Sequence, residues 1–172
     1  AYGSTIEEAR AALFGLYYLP DSKLLEMKLI PSPDAYKAEY YSYMMNGLMT
    51  QLVRIEPGKN IEEAHMRNRS LIAHWVYEHG KSENVVEFVV KDEKTYVRIN
   101  HYDKLRNLFG QLLAEIQRVK SEGDFNAART LVETYGIKVD PNLHREILER
   151  YSKLHLAPYK GFINPVYMAV KN

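Results

Sequence analysis

The sequence contains no cysteine among its 172 residues, which excludes a disulfide framework and any metal site built on thiolates. It has no apolar run long enough to span a bilayer, and its first residues lack the pattern of a signal peptide. No sign of charge dominates, since 23 Lys and Arg face 22 Asp and Glu for a net charge of +1. This balance gives no basis for binding nucleic acid or an anionic membrane. We therefore expect no nucleic-acid or membrane partner, and a cytoplasmic location.

Several short motifs that carry chemistry are also missing. The chain has no Gly-rich phosphate loop, no GxSxG and no HExxH or HExxxH, and no two of its histidines are four residues apart. A self-contained metal site is therefore not expected. With 46% hydrophobic and 26% charged residues the composition is globular, and no linker divides the chain, so residues 1–172 are predicted to form one unit. Because the chain enters a helix almost at Ala1, we expect it to be a piece of a longer protein.

Helical patterns dominate what is present. A first helix is predicted to begin at the capping residues Ser4 and Thr5 and to end before Pro20. Asp21 caps a short segment after it. A longer helix is predicted from Ser32 as N-cap, with a buried stripe that runs from Tyr41 to Leu52 at helical spacing.

The second half of the chain continues in the same way. Asn60 and Glu63 form a start resembling a capping box for a helix that ends at Gly80. Two β-rich runs, NVVEFVV and KTYVRIN, flank a charged turn and predict one hairpin. Three further helices are marked by Gly123, Asp124, Gly136 and Asp140, and the tail APYKGFINPVYMAV is predicted to be extended. The sequence thus predicts a mainly α fold (α+β), with about six helices and one small β-hairpin.

Glu7 and Glu8 are the first candidates for chemistry. Glu8 shares a helix face with Ala11, Ala12 and Gly15, whose small side chains let another helix come close. A carboxylate in such a contact must be paired, metal-bound or protonated. The alternative is that both glutamates only complement the positive end of the helix dipole.

His65 and Arg69 are the second pair of candidates. They are four residues apart and therefore lie on one helix face, at the head of an apolar stripe. Arg69 can hold a carboxylate by a two-pronged contact, and His65 can donate to an oxyanion. The alternative is a solvated helix end. A nucleic-acid site at Arg67 and Arg69 is a third interpretation, against which the balanced charge argues.

These residues fall within four segments that resemble one known family. IEEARAA, residues 6–12, resembles the EECRAE-type motif of the dipeptidyl peptidase III family of zinc-dependent exopeptidases. EEAHMRNR, residues 62–69, is similar to the second active-site segment of that family. GDFNAARTLVETYGIKVDP (123–141) and YKGFINP (159–165) are similar to later family segments. The four segments occur in the family's order, and their sequence is most similar to that of bacterial members of Bacteroidetes type.

The resemblance implies a helical lobe of a larger, two-lobed enzyme that releases dipeptides from the N-termini of short peptides. The third zinc ligand of the family corresponds to Glu8, and the two histidine ligands belong to an HExxGH motif that would precede Ala1. His65 is implied to be catalytic, while Arg69 and Lys160 are implied to contact the bound peptide. We therefore expect the N-terminal remainder of the same protein as a partner. Alone, the 172 residues are predicted to be inactive and to bind Zn²⁺ weakly at best.

One departure from the family pattern affects this prediction. The sixth motif position is usually acidic and orients a zinc histidine, but here it is Ala12. Loss of such an outer partner commonly weakens metal affinity or activity by about 10- to 100-fold. Glu7 is the candidate to take over this role. Tyr159 stands where some members carry arginine. The alternative function is a helical interaction or scaffold module derived from the enzyme.

Overall fold

Seven α-helices and one β-hairpin make up residues 2–156, the part of the chain that this computed structural model describes. The mainly α prediction is confirmed, with seven helices instead of about six. The helices are α1 (Tyr2–Tyr18), α2 (Ser22–Glu26), α3 (Ala35–Leu48), α4 (Ala64–His79), α5 (Tyr102–Glu122), α6 (Phe125–Leu131) and α7 (Pro141–Ser152), and the strands are β1 (Val86–Lys91) and β2 (Lys94–Ile99). Two 3₁₀ turns (Thr50–Arg54 and Lys81–Glu83) and a π-helical turn (Val132–Gly136) complete the helical elements.

The first helix lies at the centre of the packing. It contacts α4, α5 and α6, and its buried residues include Ala9 and Leu13, which are fully enclosed. Leu112 and Ile116 of α5 are equally buried, and their spacing places them on one face of that helix. One apolar cluster therefore joins the N-terminal helix to elements from the second half of the chain.

The predicted start of α1 was wrong. The helix is already formed at Tyr2, whose hydroxyl donates to Glu133 Oε1 at 2.5 Å, and Thr5 is fully buried within it. Thr5 therefore serves as a core residue. The predicted end was correct, because α1 stops at Tyr18, before Pro20, and Asp21 caps α2 by accepting from Lys23 N.

The long helix predicted from Ser32 is shorter than expected at both ends. It begins at Ala35, after Asp34, and Tyr40 is the buried tyrosine while Tyr41 is exposed. The Tyr40 hydroxyl donates to Leu16 O at 2.7 Å, which fixes this face of α3 against α1. The Tyr41 assignment was therefore one residue out of register.

The same helix breaks at Met49 and continues as a 3₁₀ turn. Gln51 lies just after this break, and its side-chain amide donates to Gly47 O and to Met66 O, both at 3.2 Å. This side chain thus ties the 3₁₀ turn to α3 and to α4. His144 of α7 then binds the end of this turn, with Nε2 at 3.1 Å from both Leu52 O and Ile55 O.

The fourth helix also starts later than predicted. Its N-cap is Glu63, whose carboxylate accepts from the backbone N–H groups of His65 and Met66. Asn60 is not the cap, because the following Ile61 is buried and donates its N–H to Ile137 O, which keeps this segment out of the helix. The predicted end at Gly80 is confirmed.

The hairpin was predicted correctly. β1 and β2 pair antiparallel, with Lys91 opposite Lys94, and the two turn residues Asp92 and Glu93 both have positive φ. This is the backbone of a type I′ turn, which matches the twist of a two-residue hairpin. Glu146 of α7 holds β2 by accepting from both the N–H and the hydroxyl of Thr95, at 2.7 and 2.6 Å.

The remaining helix limits agree with the sequence signals. α5 ends at Gly123, which adopts a left-handed conformation, and Asp124 and Asp140 cap α6 and α7 through their side chains. The residues after α6 form a π-helical turn that ends at Gly136, a detail that the sequence did not indicate. The predicted extended tail lies in residues 157–170, outside the described residues.

Candidate functional site

Glu8 and His65, the two residues of greatest interest in the sequence, lie side by side. Glu8 is in the second turn of α1 and His65 is in the first turn of α4, and the two helices pack against each other. His65 Nδ1 lies 3.1 Å from Glu8 Oε2, with 59% of the His65 and 40% of the Glu8 side chain exposed. A carboxylate and an imidazole therefore meet at an accessible edge of the fold, where both can reach a further ligand.

The start of α4 is fixed from several directions, so His65 has a defined position. Glu63 caps the helix, and Arg67 Nε donates to Ile61 O at 2.8 Å, which ties the first turn to the segment before it. Ile61 is itself held by Ile137 O. Because the Nδ1 edge of His65 faces Glu8, its Nε2 edge is the one left for a ligand.

Arg69 follows one turn after His65 on the same face of α4. It is half-buried, and within residues 2–156 no carboxylate forms an ion pair with its guanidinium. Its charge lies near Tyr43; burial raises the pKa of the Tyr43 hydroxyl, and Arg69 opposes that rise. A half-buried arginine without a carboxylate partner is suited to bind an anionic or carbonyl group of a ligand.

Tyr43 and Asn68 support this face of α4 and were not singled out in the sequence. The Tyr43 hydroxyl donates to Asn68 Oδ1 at 3.0 Å, and Asn68, which lies between the two site residues in sequence, is buried. Only the helical register of Asn68 could have indicated this role.

A close helix contact lies directly behind Arg69. A Cβ atom on Gly47 of α3 would be 2.5 Å from Arg69 O and 2.6 Å from Ala73 Cβ. Real Cβ contacts are not this short, so only glycine permits α3 to pass so near to the α4 backbone. Gly136 of the π-helical turn packs against α4 as well, and a Cβ atom on Gly136 would be 3.1 Å from Arg67 O. The segment that carries His65 and Arg69 is thus held on two sides.

Two of the three small residues beside Glu8 remain uncovered within the described residues. Ala11 and Gly15 are exposed, nothing in residues 2–156 lies within 4 Å of a Cβ built on Gly15, and Ala12 packs partly against the core. The tight contact predicted at this face is therefore absent from the described part of the chain.

Glu7 points away from Glu8. Its carboxylate pairs with Arg10 Nη2 at 2.6 Å and also with Lys120 Nζ of α5. These ion pairs occupy Glu7 on the side of α1 that faces α5, so a role beside a zinc histidine would require it to leave them. Lys160 and Tyr159 lie outside the described residues.

Three of the other histidines, His74, His79 and His144, have ring contacts within the fold. His74 is held at Nδ1 by Ser70 O at 2.9 Å, and burial lowers its pKa; His79 stacks on Trp75. Across residues 2–156, no group of three or more His, Cys, Asp and Glu residues is arranged to hold a metal ion. Glu8 and His65 alone do not make a metal site.

The chain belongs to peptidase family M49, whose family model matches residues 1–153. This match includes the Glu8, His65 and Arg69 positions. Among solved structures, the chain is similar to DPP III from Caldithrix abyssi, with a TM-score of 0.61, 21% sequence identity and 87% of this chain covered. No curated protein matches the chain.

The structural match defines how much of such a protein the chain represents. It covers 26% of the Caldithrix DPP III chain, so this chain spans about a quarter of the length of that relative. At this identity the match shows a shared fold: these helices and the hairpin resemble one part of that DPP III structure. None of the helices within residues 2–156 combines the length and apolar character that crossing a membrane requires.

Proposed function

We propose that this chain forms part of a zinc-dependent exopeptidase of the dipeptidyl peptidase III type, which releases dipeptides from the N-termini of short peptides. The observation that supports this most directly is the contact of Glu8 with His65, since α1 and α4 bring these two side chains together at an accessible edge. Membership of peptidase family M49 supports the reaction class. A cytoplasmic location is part of the proposal and depends only on the absence of cysteine.

The residues present fit one part of a zinc site. A catalytic zinc has three protein ligands and one open position for water. Glu8 would supply one carboxylate ligand, and because residues 2–156 contain no group of three ligands, the two histidines would come from elsewhere in the protein. The 3.1 Å contact of His65 Nδ1 with Glu8 Oε2 agrees with this role, since carboxylates that bind metal are usually held by a further polar group. When bound, zinc would lower the pKa of its water and polarise the scissile carbonyl.

The neighbouring residues would bind and position the peptide. His65 would donate from Nε2 to the carbonyl oxygen of the scissile bond as that oxygen gains negative charge. The Arg69 guanidinium, which has no carboxylate partner within residues 2–156, would hold a carboxylate or carbonyl group of the substrate. Lys160 is proposed to contact the C-terminal side of the same peptide.

A scaffold module derived from the family is the alternative, and Ala12 favours it. This residue packs partly on the core, where it offers no carboxylate to orient a zinc histidine. The two proposals differ in whether the full-length protein holds zinc.

The test is the zinc content and the dipeptidyl-arylamide hydrolysis of the full-length protein beside its Glu8→Ala variant. We expect about one zinc per chain in the parent, and loss of zinc and activity together in the variant, because one of three ligands is removed. Glu39→Ala, which removes an exposed glutamate from α3, is the matched control and is expected to keep both. A parent without zinc, or a Glu8→Ala variant that retains it, favours the scaffold.

Two further variants refine the assignment. Glu7→Gln is expected to weaken zinc affinity by about 10- to 100-fold if Glu7 replaces the missing acidic residue at position 12. If Glu7 only joins α1 to α5 through Arg10 and Lys120, zinc affinity does not change. The 172-residue chain by itself is predicted to show no peptidase activity, and measurable hydrolysis by it would contradict this prediction.

A further inference from the structure

The π-helical turn Val132–Gly136 contacts both helices of the candidate site, α1 and α4. Its end binds α4 and the segment before that helix through backbone carbonyls. Ser70 Oγ donates to Tyr135 O at 2.9 Å, and the Ile61 N–H donates to Ile137 O at 3.0 Å. The last carbonyls of a helix have no partner within it, so they are available to a neighbouring element. The start of α4 is therefore held by the backbone of this turn.

The same turn holds α1 through a side chain. The Tyr2 hydroxyl donates to Glu133 Oε1 at 2.5 Å, and this hydrogen bond raises the pKa of Tyr2 and lowers the pKa of the Glu133 carboxyl. The Tyr2 ring also meets the edge of Phe125 of α6, with 5.7 Å between the ring centroids. Arg129 Nε donates to the same oxygen of Glu133 at 3.0 Å. One carboxylate thus joins the first turn of α1 to α6 and to the π-helical turn.

This link matters because Glu8 and His65 belong to different helices. Their separation depends on how α1 lies along α4. The buried apolar residues between the helices favour contact, but the hydrophobic effect has no preferred direction, whereas a hydrogen bond has a narrow range of distances and angles. Tyr2 precedes Glu8 by six residues, which is about 9 Å along a helix. A shift at the first turn of α1 is therefore carried along the helix to Glu8.

We propose that Glu133 is a positioning residue of the site, because it binds Tyr2 from a turn whose backbone also holds α4 and thereby sets Glu8 against His65. This inference rests on the function proposed for Glu8 and His65. It gives a reason for a π-helical turn at this place, since such turns are rare and often occur at functional sites. Glu133 acts through α1 and does not contact the peptide.

Two substitutions in the full-length protein separate this role from general stability. Tyr2→Phe removes the hydroxyl and keeps the ring beside Phe125, so α1 loses only its hydrogen bond to Glu133. Arg129→Gln removes the other donor to the same oxygen and is the matched control. Calorimetry checks that each variant is folded before its kinetics are measured.

We expect Tyr2→Phe to lower kcat about tenfold with saturating zinc, because a misplacement of about 1 Å can cost about 100-fold and the shift here is smaller. KM should not change, since the loss is of an interaction made in the transition state. Arg129→Gln should keep both values. Glu133→Gln, whose amide oxygen can still accept from Tyr2, should recover most of the activity lost in Glu133→Ala. An unchanged kcat in Tyr2→Phe, or an equal loss in Arg129→Gln, overturns the proposal.

A second measurement reads the position of the helices without zinc or hydrolysis. Glu8→Cys and His65→Cys are combined in chelator-treated full-length protein and joined by a short bis-maleimide reagent. Residues 1–172 contain no other cysteine, so mass spectrometry of the joined peptides identifies this pair. Adding Tyr2→Phe should slow the cross-linking at least about twofold, the effect of losing one hydrogen bond. Adding Arg129→Gln should not.

The two measurements distinguish failure of this inference from failure of the proposed function. If the parent holds no zinc while Tyr2→Phe slows the cross-linking, the positioning of α1 on α4 stands and the zinc function fails. If the parent holds zinc and hydrolyses peptides while cross-linking is equally fast with and without Tyr2→Phe, the function stands and the positioning role is overturned. Slower cross-linking with an unchanged kcat also overturns that role.

Discussion

Replacement of Gly47 by alanine is the sharpest test of how α4 is positioned. The new Cβ would lie 2.5 Å from Arg69 O and 2.6 Å from Ala73 Cβ, well inside normal contact distances. Both neighbours belong to α4, one of them to its backbone, so the helices must separate. Overpacking of this kind costs about 1–3 kcal/mol. Alanine recovers about 1 kcal/mol through its higher helix propensity, which leaves a net loss of up to about 2 kcal/mol.

Gly15→Ala is the matched control, since Gly15 also lies inside a helix. Nothing within residues 2–156 lies within 4 Å of its added Cβ, so only the propensity gain of about 0.5–1 kcal/mol is expected. For a chain of this length, 1 kcal/mol corresponds to about 2–4 °C in Tm. Urea unfolding and calorimetry of the 172-residue chain should therefore show a lower Tm for Gly47→Ala and a higher Tm for Gly15→Ala. If both variants are stabilised equally, the close approach of α3 to α4 is refuted.

Three more predictions concern other contacts. Glu146→Ala should destabilise the chain by about 1–3 kcal/mol, because it leaves the Thr95 N–H and hydroxyl without their acceptor. Faster hydrogen exchange of the Thr95 amide would show that the effect lies in the hairpin. Burial lowers the pKa of His74 from 6.5, so below about pH 6.5 the unfolded chain binds a proton that the folded chain does not. The free energy of unfolding should therefore fall as the pH drops below about 6.5. In urea titrations from about pH 7.5 to 5, the His74→Gln variant should show a weaker dependence on pH. Asp140→Ala should lower the free energy of unfolding by about 1 kcal/mol, because it removes the acceptor of two N–H groups at the start of α7. Asp140→Asn should keep most of that stability. Equal losses of stability in both variants would show that the capping bond is not the cause.

The parts of the fold that were predicted correctly have local causes. Gly123 ends α5 because its own φ is left-handed, Asp140 caps α7 through N–H groups two and three residues away, and the hairpin turn depends on two adjacent residues. Each of these signals lies within a few positions of the structure that it determines, so one sequence is enough to find it.

The errors came from contacts between distant residues. Ile61 is kept out of α4 by the carbonyl of Ile137, and Tyr40, one residue before the predicted Tyr41, faces the core because its hydroxyl reaches Leu16 O. No local pattern contains this information. The side chain of Gln51 is an intermediate case, since it binds partly to nearby Gly47 and partly to distant Met66.

The candidate site was likewise predicted from the sequence only in part. Helical spacing placed His65 and Arg69 on one face, but only the resemblance to a known family suggested that Glu8 belongs near them. The structure adds the 3.1 Å contact between Glu8 and His65 and the support from Tyr43 and Asn68. Because α1 and α4 are separated by α2, α3 and the 3₁₀ turn, spacing in the sequence could not have predicted that contact.

The central position of α1 has a consequence for synthesis on the ribosome. This helix emerges before the rest of the described chain, yet its buried face is covered by α4, α5 and α6. At about 5–20 residues per second, the stretch between Tyr18 and Glu122 takes on the order of ten seconds to translate. During that time Leu13 and its neighbours lack the cover that α5 and α6 provide, so the nascent chain presents a partly uncovered apolar helix that a chaperone can bind until α5 is complete.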